Sequence, residues 1–225
     1  MVALLSAAIA PVFALLAFFY LKDEYELEPI YAILRTFIYG TLIVFPIMFI
    51  QYAFIEEEVA QTPIMRSYLL FGLLEEFFKW FIFMFTTYKY SKFNTVYDGI
   101  VYGVSISLGF ATVENILYLL ANGIEVAFSR AVFPVSSHAL FGVIMGYYFG
   151  RAKCNSQNES FHISISLFLP VFFHGTYDFI LETITHYWVM LLVPFMVILW
   201  MYSLRKVKLA NEYAKQDYGS IEKMS

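Results

Sequence analysis

Charged residues are scarce in this sequence: only 14% of its 225 residues are Asp, Glu, Lys or Arg, while 60% are hydrophobic. A soluble domain of this size carries about 25% charged residues, which cover its water-facing surface. The shortage therefore excludes an ordinary soluble enzyme and a disordered chain. The net charge of −4 also excludes a nucleic-acid binder, because it offers no attraction to phosphate groups.

Cysteine and the common hydrolase motifs are also missing. Cys154 is the single cysteine, so the chain can form no internal disulfide and has no CxxC zinc or redox motif. The sequence contains no GxSxG, HExxH or GxGD pattern, which mark serine, classical metallo- and aspartyl hydrolases. Any hydrolytic chemistry must therefore use another set of residues.

Long apolar runs are present instead. A bilayer core about 30 Å thick is crossed by roughly 20 apolar residues of helix. Seven such runs predict an all-α, polytopic membrane helix bundle with spans at Val2–Leu21, Leu34–Phe54, Ser67–Tyr88, Val96–Leu120, Phe133–Gly150, Phe161–Glu182 and Tyr187–Leu204. We expect one transmembrane domain over residues 1–204 and a short charged cytoplasmic tail over residues 205–225. Glycines four residues apart, Gly99 and Gly103 in one span and Gly142, Gly146 and Gly150 in the next, predict close helix contacts.

Basic residues are divided unevenly between the two sets of loops. One set holds eleven lysines and arginines, including Lys22, Lys92 and Lys223, whereas the other holds only Arg66 and Arg130. Cytoplasmic loops of membrane proteins are enriched in Lys and Arg, so the first set is predicted to be cytoplasmic. The N-terminus is then outside the cell and the C-terminus inside.

A few ionisable residues lie inside the apolar runs, where exposure of a charge to lipid costs about 2.5–3.5 kcal/mol. They are Glu75, Glu76, Lys79, Glu114, His138, His174 and Asp178. Lys79 follows Glu75 by four residues and Glu76 by three, so it can reach either carboxylate on one helix face. Asp178 follows His174 by four residues and can orient it in the same way. We expect these groups to face one another or a wet cavity.

The acids and imidazoles are predicted to share one depth. At a rise of 1.5 Å per residue, Glu75 and His174 lie roughly 12 Å from the outer ends of their spans. Glu114 lies roughly 9 Å and His138 roughly 8 Å from the outer end. Four helices thus place such groups at one level in the outer half of the membrane. This coincidence favours a functional site over scattered structural polar residues.

Two kinds of water-driven hydrolysis fit these residues. In the first, Glu75 or Glu76 acts as general base, and the imidazoles of His138 and His174 stabilise the oxyanion. In the second, the two histidines and a glutamate hold a catalytic zinc ion with an open position. The spacing leaves open which glutamate is the base, because neighbours on a helix diverge by about 100°. Lys79 would adjust the glutamate pair, and the abundant tyrosines and phenylalanines are interpreted as packing and lipid-facing residues.

The order of these residues resembles a known family. Glu75-Glu76-xx-Lys79, Phe110-xxx-Glu114-Asn115, His138 and His174-xxx-Asp178, on successive helices, are similar to the PrsW family of intramembrane proteases. That family belongs to the CAAX-protease-like superfamily, whose pattern is EExxxR, FxxxH and HxxxN or HxxxD. This sequence departs from the pattern at two places. Lys79 replaces the arginine one residue early, and Glu114 stands where a histidine is expected.

The resemblance implies a glutamate-dependent or metal-assisted peptidase, multi-pass in a bacterial plasma membrane. Its substrate would be a single-pass anti-sigma factor, cut first on the extracytoplasmic side to activate an envelope-stress sigma factor. The implied catalytic residues are Glu75, Glu76, His174 and His138, with Lys79, Glu114 and Asp178 in support. The lipid bilayer is the other expected partner, and the metal-assisted alternative implies zinc as a cofactor.

Two other functions fit the same cluster. Buried acid and histidine groups also serve proton-coupled transporters and channels. Against this, the chain has no evident internal repeat of the transporter kind. A structural membrane protein with haem between His138 and His174 is the third reading, but it leaves the glutamate pair without a role.

Overall fold

The computed structural model describes residues 1–89, 93–154 and 156–222, and every regular element in these residues is helical. The α-helices are α1 (Val2–Leu21), α2 (Ile30–Leu42), α3 (Val44–Glu56), α4 (Leu74–Ile82), α5 (Val96–Asn122), α6 (Ala127–Arg130), α7 (Ser136–Cys154), α8 (Glu159–Thr183) and α9 (Trp188–Glu222). π-helical stretches cover Met65–Leu73, Phe83–Tyr88 and Ala131–Val135, and 3-10 turns cover Ile124–Val126 and Ser156–Asn158. The predicted all-α class is confirmed. Lys92 and Lys223, which were counted for the orientation, lie outside the described residues.

Six segments are long and apolar enough to cross a membrane. They are Val2–Leu21, Ile30–Glu56, Val96–Asn122, Ile124–Cys154, Glu159–Thr183 and Trp188–Gln216. The seventh predicted span is a continuous helical run over residues 65–88, in which π-helical stretches flank α4. Any stretch of 18 residues within this run contains Glu75, Glu76 and Lys79, more charge than an ordinary span carries. We call residues 65–88 the charged helix.

The second span differs from its prediction in where it begins and in its shape. It begins at Ile30 instead of Leu34 and is interrupted at Ile43, between α2 and α3. Pro46 explains the interruption, because proline has no N–H to donate to the carbonyl of Leu42. The second part of this span, α3, is therefore a separate short helix.

Helix α9 continues without a break at residue 204, where the tail was predicted to begin, and ends at Glu222. Its extension packs against the bundle, since Val207, Ala210 and Ala214 are buried. The first part of the predicted tail thus lengthens the last helix. Its location in the cytoplasm stays a prediction from the loop charges.

Helices α5 and α7 form the centre of the bundle and share its most extensive contact. The glycines of both helices line that contact. A Cβ atom added at Gly142 would lie only 2.6 Å from the carbonyl oxygen of Gly103, so a side chain there would force the backbones apart. The close contact predicted from the glycine spacing is confirmed.

The charged helix packs along α8. At their contact, a Cβ atom added at Gly72 would lie 3.0 Å from the backbone nitrogen of Gly175. Towards the outer end, Arg66 and Glu182 form an ion pair of 2.6 Å. This alignment brings the carboxylates of the charged helix level with the histidine of α8.

Candidate active site

Four of the predicted site residues converge on one buried point. Glu75, Glu76, His138 and His174 each present a ligand atom, and these four atoms lie within 4.8 Å of one another. The carboxylates come from the charged helix, His138 from α7 and His174 from α8. None of the four residues is more than 8% exposed. We call this cluster, together with Lys79, the acid–histidine centre.

Lys79 lies within the acid–histidine centre and is fully buried. Its Nζ donates a hydrogen bond of 2.7 Å to Glu76 Oε1. The same atom lies 3.2 Å from His138 Nδ1 and 3.5 Å from Glu75 Oε2. The expectation that Lys79 reaches both glutamates is confirmed. The ring of Phe110, itself buried, covers the ammonium at 4.1 Å.

Both imidazoles direct Nδ1 to the centre and Nε2 to a supporting carboxylate. His138 Nε2 lies 2.9 Å from Glu114 Oε2. His174 Nδ1 lies 2.9 Å from Glu76 Oε1, and its Nε2 lies 3.3 Å from Asp178 Oδ2. A carboxylate on the outer nitrogen fixes the orientation of the ring and the position of its hydrogen. The structure thus brings all seven sequence-predicted residues together.

Arg130 was predicted to lie in a loop between two spans, but the structure places it in a helix. It ends the short helix α6, is 8% exposed, and donates from Nη2 to Glu114 Oε1 at 3.0 Å. Its Nε donates to Asn115 Oδ1 at 2.9 Å, and Asn115 is anchored in turn to the carbonyl of Ala8. Arg130 is one of only two basic residues in the set of loops predicted to lie outside. That rarity is a signal for a specific role.

Glu75 is held from a helix that the sequence did not connect to the site. Gln51 of α3 donates from Nε2 to Glu75 Oε1 at 3.0 Å and to the carbonyl of Leu70 at 3.4 Å. The other carboxylate oxygen, Glu75 Oε2, is buried without a hydrogen bond and lies 3.9 Å from His174 Nε2. No motif singles out Gln51. One oxygen of Glu75 is therefore held by Gln51, and the other makes no hydrogen bond but lies 3.5 Å from Lys79 Nζ.

A cavity of about 290 Å³ opens beside the acid–histidine centre. Its polar lining consists of Gln51, Glu75, Glu114, Arg130, Ser137, His138, His174, Tyr177 and Asp178. Its apolar lining includes Met48 of α3 and Leu181 of α8. Glu76 and Lys79 do not line it. The two adjacent glutamates thus have different surroundings, because only Glu75 faces the space that a substrate could occupy.

The donor set of the centre fits a metal ion. Two imidazole nitrogens and a carboxylate oxygen, with one open position, are the ligands of a catalytic zinc ion. Each histidine has a supporting carboxylate, as zinc-binding histidines usually do. Glu75 and Glu76 each keep one buried oxygen free of hydrogen bonds, so that acceptor capacity is available to a cation.

Comparison with known proteins gives consistent matches. The family described as PrsW family intramembrane metalloprotease matches residues 28–203. Protease PrsW of Halalkalibacterium halodurans is 51% identical over 212 residues, covering 94% of this chain and 99% of the relative. Protease PrsW of Oceanobacillus iheyensis is 53% identical over 212 residues (94% and 98%), and that of Bacillus subtilis is 51% identical over 212 residues (94% and 97%). No solved structure matches the chain.

The matched region contains every residue of the acid–histidine centre and its supporting carboxylates. Its relatives are bacterial, and six of its segments can span a membrane, so the chain is a multi-pass bacterial membrane protein. Sequence similarity over nearly the whole length and the buried Glu/His cluster both support the same family assignment. The chain therefore belongs to the PrsW family of intramembrane metalloproteases.

Proposed function

We propose that this protein is an intramembrane endopeptidase with Glu75 as its general base. In this proposal it makes the first, extracytoplasmic-side cut in a single-pass anti-sigma factor and so activates an envelope-stress sigma factor. One observation carries the peptidase mechanism: acid and imidazole groups from the charged helix, α7 and α8 meet within 4.8 Å beside a cavity. The substrate class rests on the family resemblance, and its cut on the outer side follows from the loop charges.

Glu75 is better placed than Glu76 to act as the general base. Its Oε2 is free of hydrogen bonds, while Gln51 holds its Oε1. Glu76 is fully buried, does not line the cavity, and shares its Oε1 with Lys79 and His174. A general base must lie within hydrogen-bond reach of the water that it deprotonates. Glu75 is the glutamate that a water in the cavity can reach.

The residues divide the reaction between them. The Glu75 carboxylate accepts a proton from the attacking water and later returns it to the nitrogen of the leaving amine. Glu114 and Asp178 keep the two imidazoles in one orientation, so that both Nδ1 atoms face the centre. Lys79 balances the negative charge of the adjacent carboxylates in a low-dielectric interior.

Zinc would be held by His138, His174 and Glu76. When bound, a zinc ion supplies Lewis acidity that polarises the scissile carbonyl and activates water. This assignment leaves Glu75 free to move protons.

The surroundings of the centre support hydrolysis over proton-coupled transport. A transporter needs a polar path across the membrane, but aromatic rings close the predicted inner side of the centre. Phe83 of the charged helix stacks on Phe149 of α7 with ring centroids 4.3 Å apart. Trp80 stacks on the same ring at 5.9 Å. A layer of stacked aromatic rings therefore lies on the predicted inner side of the centre.

The proposal is tested by cleavage of a single-pass anti-sigma factor in reconstituted vesicles. Glu75→Gln keeps the size of the side chain but removes the base, so kcat should fall about 10²–10⁴-fold. Glu57→Gln, in the exposed segment after α3, is the matched control and should cleave at the wild-type rate. Undiminished cleavage by folded Glu75→Gln protein would falsify the peptidase mechanism.

Metal dependence is measured on the same samples. A zinc chelator should abolish cleavage, and added zinc should restore it. Elemental analysis should find bound zinc in the wild type and none in His174→Ala, because one of three ligands is lost. Full activity in protein shown to be free of metal would exclude the zinc assignment and leave the glutamate base intact.

A further inference from the structure

Tyr177 is a polar residue of the cavity to which the mechanism above gives no role. It lies in α8, and only 4% of its surface is exposed. The residue lines the cavity, and its hydroxyl is buried and makes no hydrogen bond. A buried hydroxyl without a partner destabilises a protein, because it has lost its bonds to water. Such a group is uncommon in native structures and calls for an explanation.

The position of Tyr177 relates it to the acid–histidine centre. It follows His174 by three residues, so the two side chains project from one face of α8. Both residues line the same cavity as Glu75. A substrate peptide bond placed within reach of the base and the imidazole therefore also lies beside the phenol.

The groups near the hydroxyl are already engaged. Arg130, Glu114 and Asp178 are the charged groups that act on it electrostatically. Glu114 accepts from Arg130 through one oxygen and faces His138 with the other. Asp178 is paired with an imidazole. The phenol itself has no hydrogen-bond acceptor among the described residues.

We propose that Tyr177 is a catalytic residue that donates a hydrogen bond from its hydroxyl to the substrate carbonyl oxygen as that oxygen becomes an oxyanion. The proposal rests on the peptidase function proposed above and adds the group that stabilises the oxyanion in the same site. Water adds to the carbonyl carbon, its proton passes to Glu75, and the negative charge develops on the carbonyl oxygen. The phenol keeps its own proton throughout. A fixed donor in a dry site stabilises that charge strongly, because it needs no reorganisation.

The test compares two variants that each lose one hydroxyl. Tyr177→Phe should lower kcat about 10²–10³-fold, as loss of an oxyanion donor does in other hydrolases, with KM changed less than about 3-fold. Its bound zinc should equal that of the wild type. Its melting temperature should equal or exceed the wild-type value, because an unpartnered buried hydroxyl has been removed.

Tyr68→Phe is the matched control. The Tyr68 hydroxyl lies 2.9 Å from Thr176 Oγ1 and does not line the cavity. Its loss should lower the melting temperature slightly and leave kcat unchanged. A wild-type kcat in Tyr177→Phe would overturn this role, provided that Glu75→Gln is inactive in the same assay. The peptidase function would then still stand. A lowered melting temperature in Tyr177→Phe also overturns it, because the hydroxyl would then already have a structural partner.

Discussion

The central helices α5 and α7 and the peripheral helix α3 contribute to the same cavity but pack very differently. In the span that ends with α7, 78% of the residues of its apolar stretch are buried, compared with 33% in the span that ends with α3. Only Val44 and Ile47 are buried in α3, and Phe49 is 71% exposed. An apolar cavity of about 100 Å³ lies between α3 and the charged helix. The side of the cavity formed by α5 and α7, which we call the rigid wall, is tightly packed. The side formed by α3 is the loosely packed wall.

The difference suits the two requirements of the site. Glu114 and His138 must hold their mutual geometry to within fractions of an ångström, and the rigid pair α5 and α7 carries them. A peptide must also enter from the bilayer, and a weakly packed helix is easier to displace. Gln51 joins the two walls, because it reaches from α3 to Glu75. Three substitutions test this division, from the largest expected effect to the smallest.

Gly142→Leu should break the rigid wall. The backbones of α5 and α7 approach so closely at Gly142 that any side chain meets the carbonyl of Gly103. We expect little or no folded protein in detergent, measured by size-exclusion chromatography of a fluorescent fusion. Ala121→Leu adds the same bulk at an exposed position of α5 and should elute as the wild type. A normal profile for Gly142→Leu would show that the glycine contact does not set the spacing of the two helices.

Arg130→Gln should loosen the rigid wall without unfolding it. Arg130 holds Glu114, which orients His138, so zinc affinity should fall about 10–100-fold. Competition with a chelator of known affinity measures this. Arg66→Gln removes the other outer arginine, which is half-exposed and paired with Glu182, and should bind zinc normally. Unchanged affinity in Arg130→Gln would contradict an orienting role for the arginine.

Gln51→Met should remove the hydrogen bond that links the loosely packed wall to Glu75, the proposed base. The side chain keeps its length but loses the hydrogen bond to Glu75, so kcat should fall about 10-fold, as expected for one bond to a charged group. Zinc content should stay unchanged. The control is Phe49→Leu on the lipid-facing side of the same helix. Equal kcat values for the two variants would show that α3 does not help to orient the Glu75 carboxylate.

Much of the architecture follows from the sequence for simple physical reasons. A charge exposed to lipid costs so much free energy that the length of the apolar runs alone outlines the spans. The few charged residues inside the spans must therefore contact one another. Counting residues from the span ends placed Glu75, Glu114, His138 and His174 at one level, and the structure places them in one cluster. Spacing of three and four also predicted the bonds of Lys79 to the two glutamates.

The contacts between distant helices could not be predicted in this way. A helix that is apolar all round gives no period from which its rotation can be deduced. Gln51, Arg130 and Tyr177 therefore went unrecognised as site residues, since each depends on the face that its helix turns to the cavity. The continuation of α9 was missed because polar residues after residue 204 resemble a tail, whereas Val207 and Ala210 pack.

The ion pairs of the site have a consequence for how the protein enters the membrane. Lys79 pairs with Glu76 three residues away, His174 with Asp178 four residues away, and Arg130 with Glu114 within one helical hairpin. The charged helix and α8 thus each carry an opposite charge of their own, and the partner of Glu114 follows in the next span. Such local pairing lowers the cost of inserting these segments one after another, and the acid–histidine centre is complete once all of them are in the bilayer.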